Sequence, residues 1–124
     1  MRLSEKEFDA IVKDALRRIP QEILAYLDNV LITVKKRPSR ELLGEMGLPA
    51  DEPLLGVYDG VSLPDRSEFG PPLYPDTIIL FQEPLEDICN SNEELEREIA
   101  ITVVHEIAHF LGISEKRLAE LGYA

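Results

Sequence analysis

The chain is 124 residues long, 44% hydrophobic and 30% charged, with a formal net charge of −11 at pH 7. Those figures fit one soluble globular domain over residues 1–124, large enough to bury a core without staples. They exclude a membrane-spanning chain, since no stretch approaches the roughly 20 apolar residues that cross a bilayer, and they disfavour a nucleic-acid binder, which must neutralise phosphates with Lys and Arg. The densest basic stretch, "KKRPSR" over residues 35–40, is short. The opening "MRLSEKEFDAIVKDALRRIP" mixes charges throughout and lacks the unbroken apolar core of a signal peptide, and the single cysteine, Cys89, cannot form an internal disulfide. Both features point to the cytoplasm.

In chain order, Phe8, Ile11, Val12, Ala15, Leu16 and Ile19 recur at helical spacing and predict an amphipathic helix over residues 4–18. Pro20 suits the first turn of a second helix carrying Ile23, Leu24 and Leu27. "NVLITVKK" is a short β-branched run and reads as a strand. Residues 37–53 are punctuated by Pro and Gly, with one helical turn near residues 41–45. "PLLGVYDG" reads as a second strand ending in a turn at Asp59-Gly60, residues 61–75 as a long loop rich in Pro, Gly and Ser, and "DTIILFQE" as a third strand. A long helix over residues 92–111 follows. Ser91 and Glu94 fit a capping box, Glu93, Glu94 and Glu96 place negative charge near the positive end of the dipole, and Gly112 suits a left-handed stop. Ser114 then caps a last short helix through Leu121. Helices, strands, then helices make the fold class α+β, with a small, mainly antiparallel sheet packed against the long helix.

That long helix ends in "VVHEIAHFLGISE", which holds both histidines of the chain. His105 and His109 are four residues apart, so on a helix they lie about 40° from one another, one turn apart. Glu106 sits about 100° around from His105 and reaches over the same point without having to ligate. This is the chemistry of HExxH: two zinc ligands and a carboxylate that takes the proton of a water activated by the metal. The competing account, two core histidines satisfied by hydrogen bonds, must find partners for three groups that are costly to bury in an almost wholly apolar run. One divalent zinc ion satisfies all three at once. A catalytic zinc takes three protein ligands and keeps one position open. Glu115 stands where the extended pattern HExxHxxGxx(ligand) puts its third group, after a turn at Gly112 that folds the chain back, whereas an acid in the first turn of the final helix also has an ordinary dipole explanation. Glu120 is the alternative third ligand.

These residues resemble the minimal zincins, a family of small bacterial zincin-like metallopeptidases with the motif HExxHxxGxxE/D. The resemblance covers most of the chain, through "LLGVYDGVSLPDR", "YPDTIILFQEPLE" and "VVHEIAHFLGISEKRLAELGY". It implies a zincin-like fold with a small sheet against the active-site helix, and a zinc-dependent peptidase. It also implies His105 and His109 as the metal pair, Glu106 as the base and Glu115 as the third ligand. The metzincin third histidine is replaced by Glu115, and with only Met1 and Met46 in the chain there is no Met-turn.

Tyr58 and Arg66 are candidates to stabilise an oxyanion, against the plainer readings of a surface aromatic and a surface ion pair. Residues 77–82 either offer a free strand edge to an extended peptide or lie in the sheet interior. Cys89 reads as an inert buried thiol. Three functions compete. The leading one is a zinc hydrolase acting on a peptide or unstructured protein, without nucleic-acid or membrane partners. The others are a non-catalytic, metal-stabilised interaction module and a metal-dependent RNase, the last disfavoured by the acidity and the missing third histidine.

Overall fold

The computed structural model describes residues 1–59 and 76–123. Ser4 opens helix α1 (Glu5–Arg17) with a full capping box: its hydroxyl accepts from the Glu7 backbone, and the Glu7 carboxylate accepts from the Ser4 N–H. Phe8, Val12 and Ala15 form its buried stripe. Helix α2 (Gln21–Leu24) continues as a single 3₁₀ turn over Ala25–Leu27. Strand β1 (Val30–Lys35), helix α3 (Arg40–Glu45), strand β2 (Gly56–Asp59) and strand β3 (Asp76–Phe81) follow, then α4 (Gln82–Asp87), α5 (Asn92–Leu111) and α6 (Glu115–Glu120).

The fold is α+β, and its sheet is mixed rather than mainly antiparallel. The order is β1-β3-β2, with β1 parallel and β2 antiparallel to β3. The strands are joined by long connections, and only a tight hairpin would oblige neighbours to run in opposite directions. The central place of β3 settles one expectation: residues 77–81 lie between two strands and offer no free edge, so β2 is the edge that borders α5. The third strand also ends earlier than its sequence suggests. Gln82 and Glu83 start α4, and Pro84 sits in that helix's first turn, where a missing N–H costs nothing.

Register determines what faces the core. Pairing sets Gly56 beside Leu80 and Tyr58 beside Ile78, while Ile32 and Val34 flank the same two residues from β1. Ile78 and Leu80 are fully buried, so this whole face turns inward. Against it packs α5, which contributes Leu95, Ile99, Ala100, Val103, Val104, Ile107 and Ala108 to one cluster with Phe8, Ile19, Ile23, Leu85 and Leu118. At about 100° per residue those α5 core positions from Ile99 onward occupy roughly half of the helix circumference. Two buried polar side chains tie the N-terminus down. Gln82 Nε2 donates to the Leu3 carbonyl at 2.9 Å and to Glu86 at 3.1 Å, and Glu86 accepts from the Leu3 N–H at 2.9 Å. Cys89 is buried, as expected, and burial raises its thiol pKa, which leaves it an inert thiol. Among the described residues no helix is long and apolar enough to cross a membrane.

Gly56 lets β2 approach α5. A Cβ built there would stand 2.8 Å from Thr102 Cγ2 and 3.1 Å from the Ile79 carbonyl. Thr102 cannot swing away freely, because its hydroxyl donates to the Glu98 carbonyl at 2.8 Å. Gly56→Ala should therefore lower unfolding free energy by about 1–3 kcal/mol in urea titrations. Gly44→Ala, in α3 with nothing within 4 Å of the new methyl, should leave stability unchanged or raise it by up to about 1 kcal/mol. Equal effects at the two glycines would contradict the close β2–α5 approach.

Candidate metal centre

The remaining arc of α5 lines a cleft of about 280 Å³, with Glu98, Ile101, Thr102, His105, Glu106 and His109 on the helix side and Leu54 to Gly56 opposite. The boundaries of α5 agree with its sequence signals. Ser91 caps the first turn by accepting from Glu94 N at 3.1 Å, although the Glu94 carboxylate returns to Asn90 N rather than to Ser91 N. At the other end Gly112 has φ 74°, and the Ile113 N–H reaches back to the Ala108 carbonyl at 2.9 Å. This left-handed turn reverses the chain. Ser114 then caps α6, and Glu115 is the first residue of that helix.

The reversal brings Glu115 to the helix pair. One donor atom each from His105, His109 and Glu115 lies within 4.8 Å of the others. The two imidazoles stand nearly perpendicular, with ring centroids 6.2 Å apart. His105 is half-buried, while His109 and Glu115 are exposed, so the cluster opens to solvent on one side. Glu120 is not part of it. Its carboxylate accepts from Arg117 Nη1 at 3.1 Å, and Arg117 also holds Glu22 at 3.0 Å. The arginine thus ties the alternative acid to α2.

Glu106 sits at the border between the cleft arc and the core arc, and it is half-buried. Burial raises its carboxyl pKa above the ordinary carboxylate range, while His109, the Tyr58 backbone N–H and His105 partly offset that rise. The Tyr58 contact comes from the edge of β2 facing α5. The same tyrosine stacks its ring on Phe110 with centroids 4.3 Å apart and donates its hydroxyl to Asp76 at 2.8 Å. Of the two readings of Tyr58, oxyanion donor or plain surface aromatic, the hydroxyl's engagement with Asp76 does not favour the first, and the ring stacked on Phe110 departs from the second: Tyr58 is a clamp that joins β2 to α5, and its main chain meets the site. No periodicity or motif marks a backbone donor, so this role is invisible in the sequence. Arg66, the other oxyanion candidate, lies outside the described residues.

A second main-chain group reaches the site from the C-terminal turn. The Tyr123 carbonyl accepts from His105 Nε2. Tyr123 is held there by its N–H to the Leu118 carbonyl at 2.8 Å and its hydroxyl to the Arg18 carbonyl at 3.3 Å. A carbonyl can only accept, so the contact orients the imidazole and fixes its proton.

Residues 27–123 match the family described as zincin-like metallopeptidase. The chain belongs to that family. No curated protein matches it. Among solved structures it resembles a conserved hypothetical protein from Thermo thermophilus, with a TM-score of 0.54 at 20% identity, covering 94% of this chain and 98% of that one. The likeness concerns the fold alone.

Two imidazoles and a carboxylate, gathered on one open-sided point, are the donor set of a three-ligand zinc site. The residues present therefore fit the metal that the family implies. Glu115→Ala should weaken zinc binding by more than the roughly 10–100-fold that losing an outer partner costs, read by competition with a chromophoric chelator. Glu120→Ala should leave the affinity unchanged. The reverse order would move the third ligand to Glu120.

Proposed function

We propose that this zincin-like protein is a zinc-dependent peptidase, with His105, His109 and Glu115 as the metal ligands and Glu106 as general base. The observation that supports this most directly is the placement of Glu106. It is half-buried beside the donor cluster, with a raised pKa and a main-chain hydrogen bond that aims it. When bound, zinc supplies Lewis acidity, polarising a substrate carbonyl and making water a better nucleophile near neutral pH.

The chain's own groups then do the proton work. Glu106 accepts the proton of the attacking water and delivers it to the departing amine, for which a carboxyl with its affinity moved towards neutrality is suited. The Tyr58 N–H holds that carboxylate over the cleft during both transfers. Leu54, Leu55 and Ile101 supply apolar walls against which an extended peptide can lie. With so little wall, positioning is limited and turnover is slow. A non-catalytic metal module would use the same ligands and would leave Glu106 without a task.

Glu106→Gln keeps a hydrogen-bonding group of the same size but cannot take the proton. It should retain zinc and lower peptide hydrolysis by a factor of about 10²–10⁴. The check is a mixed library of unstructured peptides incubated with wild type and variant and read by mass spectrometry. Identical products from the two proteins, both carrying zinc, would leave the module as the better account.

A further inference from the structure

The cleft carries one charge that hydrolysis does not use. Glu98 lines it alongside His105 and Glu106 and is half-buried, and Leu54, Leu55 and Ile101 line the same cleft. The other acids of α5 near it are accounted for. Glu96 pairs with Arg18 at 3.4 Å, Glu94 caps Asn90 at 3.1 Å, and Glu93 faces solvent. Among the described residues, the Glu98 side chain takes part in no ion pair or hydrogen bond; only its main-chain carbonyl is engaged, by Thr102. A carboxylate at the cleft wall that no cation or donor of the described residues engages is open to a positively charged partner from outside. A cation entering the cleft would pair with it.

We propose that Glu98 is the specificity-determining carboxylate of this cleft and receives a lysine or arginine side chain of an extended peptide. The proposal rests on the reading of the cleft as a peptide site. The helix sets the spacing. Glu98 and His105 are seven residues apart on the same stripe, about 10 Å along the axis. An extended chain advances about 3.3 Å per residue, so the basic residue lies about three positions from the bond held at the metal centre. Between them the substrate passes Leu54, Leu55 and Ile101, which suit an aliphatic side chain. The preferred peptide therefore carries an apolar residue flanked on one side by a basic one. The net charge of −11 draws basic peptides to the whole surface, whereas Glu98 acts at one position of the peptide.

Binding can be separated from turnover. Zinc-loaded Glu106→Gln protein is titrated by fluorescence anisotropy with synthetic ten-residue peptides identical except for Lys, Gln or Glu at one position, which is scanned along the chain. One position should show about tenfold tighter binding for Lys than for Gln. Adding Glu98→Gln should abolish that preference, Glu98→Lys should favour the Glu peptide, and Glu45→Gln on exposed α3 should change nothing. Circular dichroism establishes that each variant is folded. A Lys preference that survives Glu98→Gln, a preference spread evenly over all positions, or no peptide binding at all overturns the proposal. If wild type cleaves the peptides without regard to Lys, the hydrolase stands and the specificity fails. If the Glu98-dependent preference is measured but wild type cleaves none of them, the specificity stands and the hydrolase fails.

Discussion

Helix α5 must satisfy two environments along its length, and the protein is arranged around that demand. From Ile99 to Ala108, half of its circumference is sealed against α1, α4 and the sheet. The other half carries Glu98, His105, Glu106 and His109 into a cleft. A helix buried on both sides could not keep these groups hydrated, and one fully exposed would not raise the proton affinity of Glu106. The edge strand β2 strikes the balance. Gly56 permits close approach, Tyr58 stacks on Phe110, and the Tyr58 N–H takes one lone pair of the Glu106 carboxylate. Fold stability and site electrostatics therefore depend on the same few contacts.

The turn after α5 does comparable work for the third donor. Gly112 adopts a left-handed conformation that a residue with a Cβ enters at a cost of roughly 1–2 kcal/mol. The short span from Gly112 to Ser114 is what swings Glu115 back to the histidines, while Arg117 pairs with both Glu120 and Glu22. The last helix is consequently both a wall of the core, through Leu118, and the bearer of a donor. Its continuation returns the Tyr123 carbonyl to His105, so the residues on both sides of α6 address the site.

Much of this was legible in the sequence, for physical reasons. Helix α5 runs over Asn92–Leu111, as its caps predict, because Ser91 and Gly112 are strong local signals with one structural meaning each. The histidine pair was legible because helical spacing converts sequence distance directly into angle, and Glu115 because a glycine stop after the helix signals a reversal of the chain. Strand order was not: the connections between strands are too long to fix direction, and the parallel β1–β3 pair went unforeseen. Helix α4 was hidden because "FQEP" continues an apolar strand, while the signal against a strand, Pro84, suits a helix's first turn equally well. The main-chain roles of Tyr58 and Tyr123 were out of reach, since every residue has an N–H and a carbonyl and only tertiary packing selects which of them matter.

The proposed chemistry requires one zinc ion held by a nitrogen pair from α5 and an oxygen from the start of α6. Zinc-edge X-ray absorption on the reconstituted protein tests it most directly, because the spectrum counts and identifies the atoms bound to the ion. The expected result is one zinc per chain with two imidazole nitrogens at about 2.0–2.1 Å and a carboxylate oxygen at about 2.0–2.2 Å. The imidazole signature should disappear in His105→Ala/His109→Ala protein. A substoichiometric ion, or a shell of oxygen ligands unchanged by that double substitution, would contradict it.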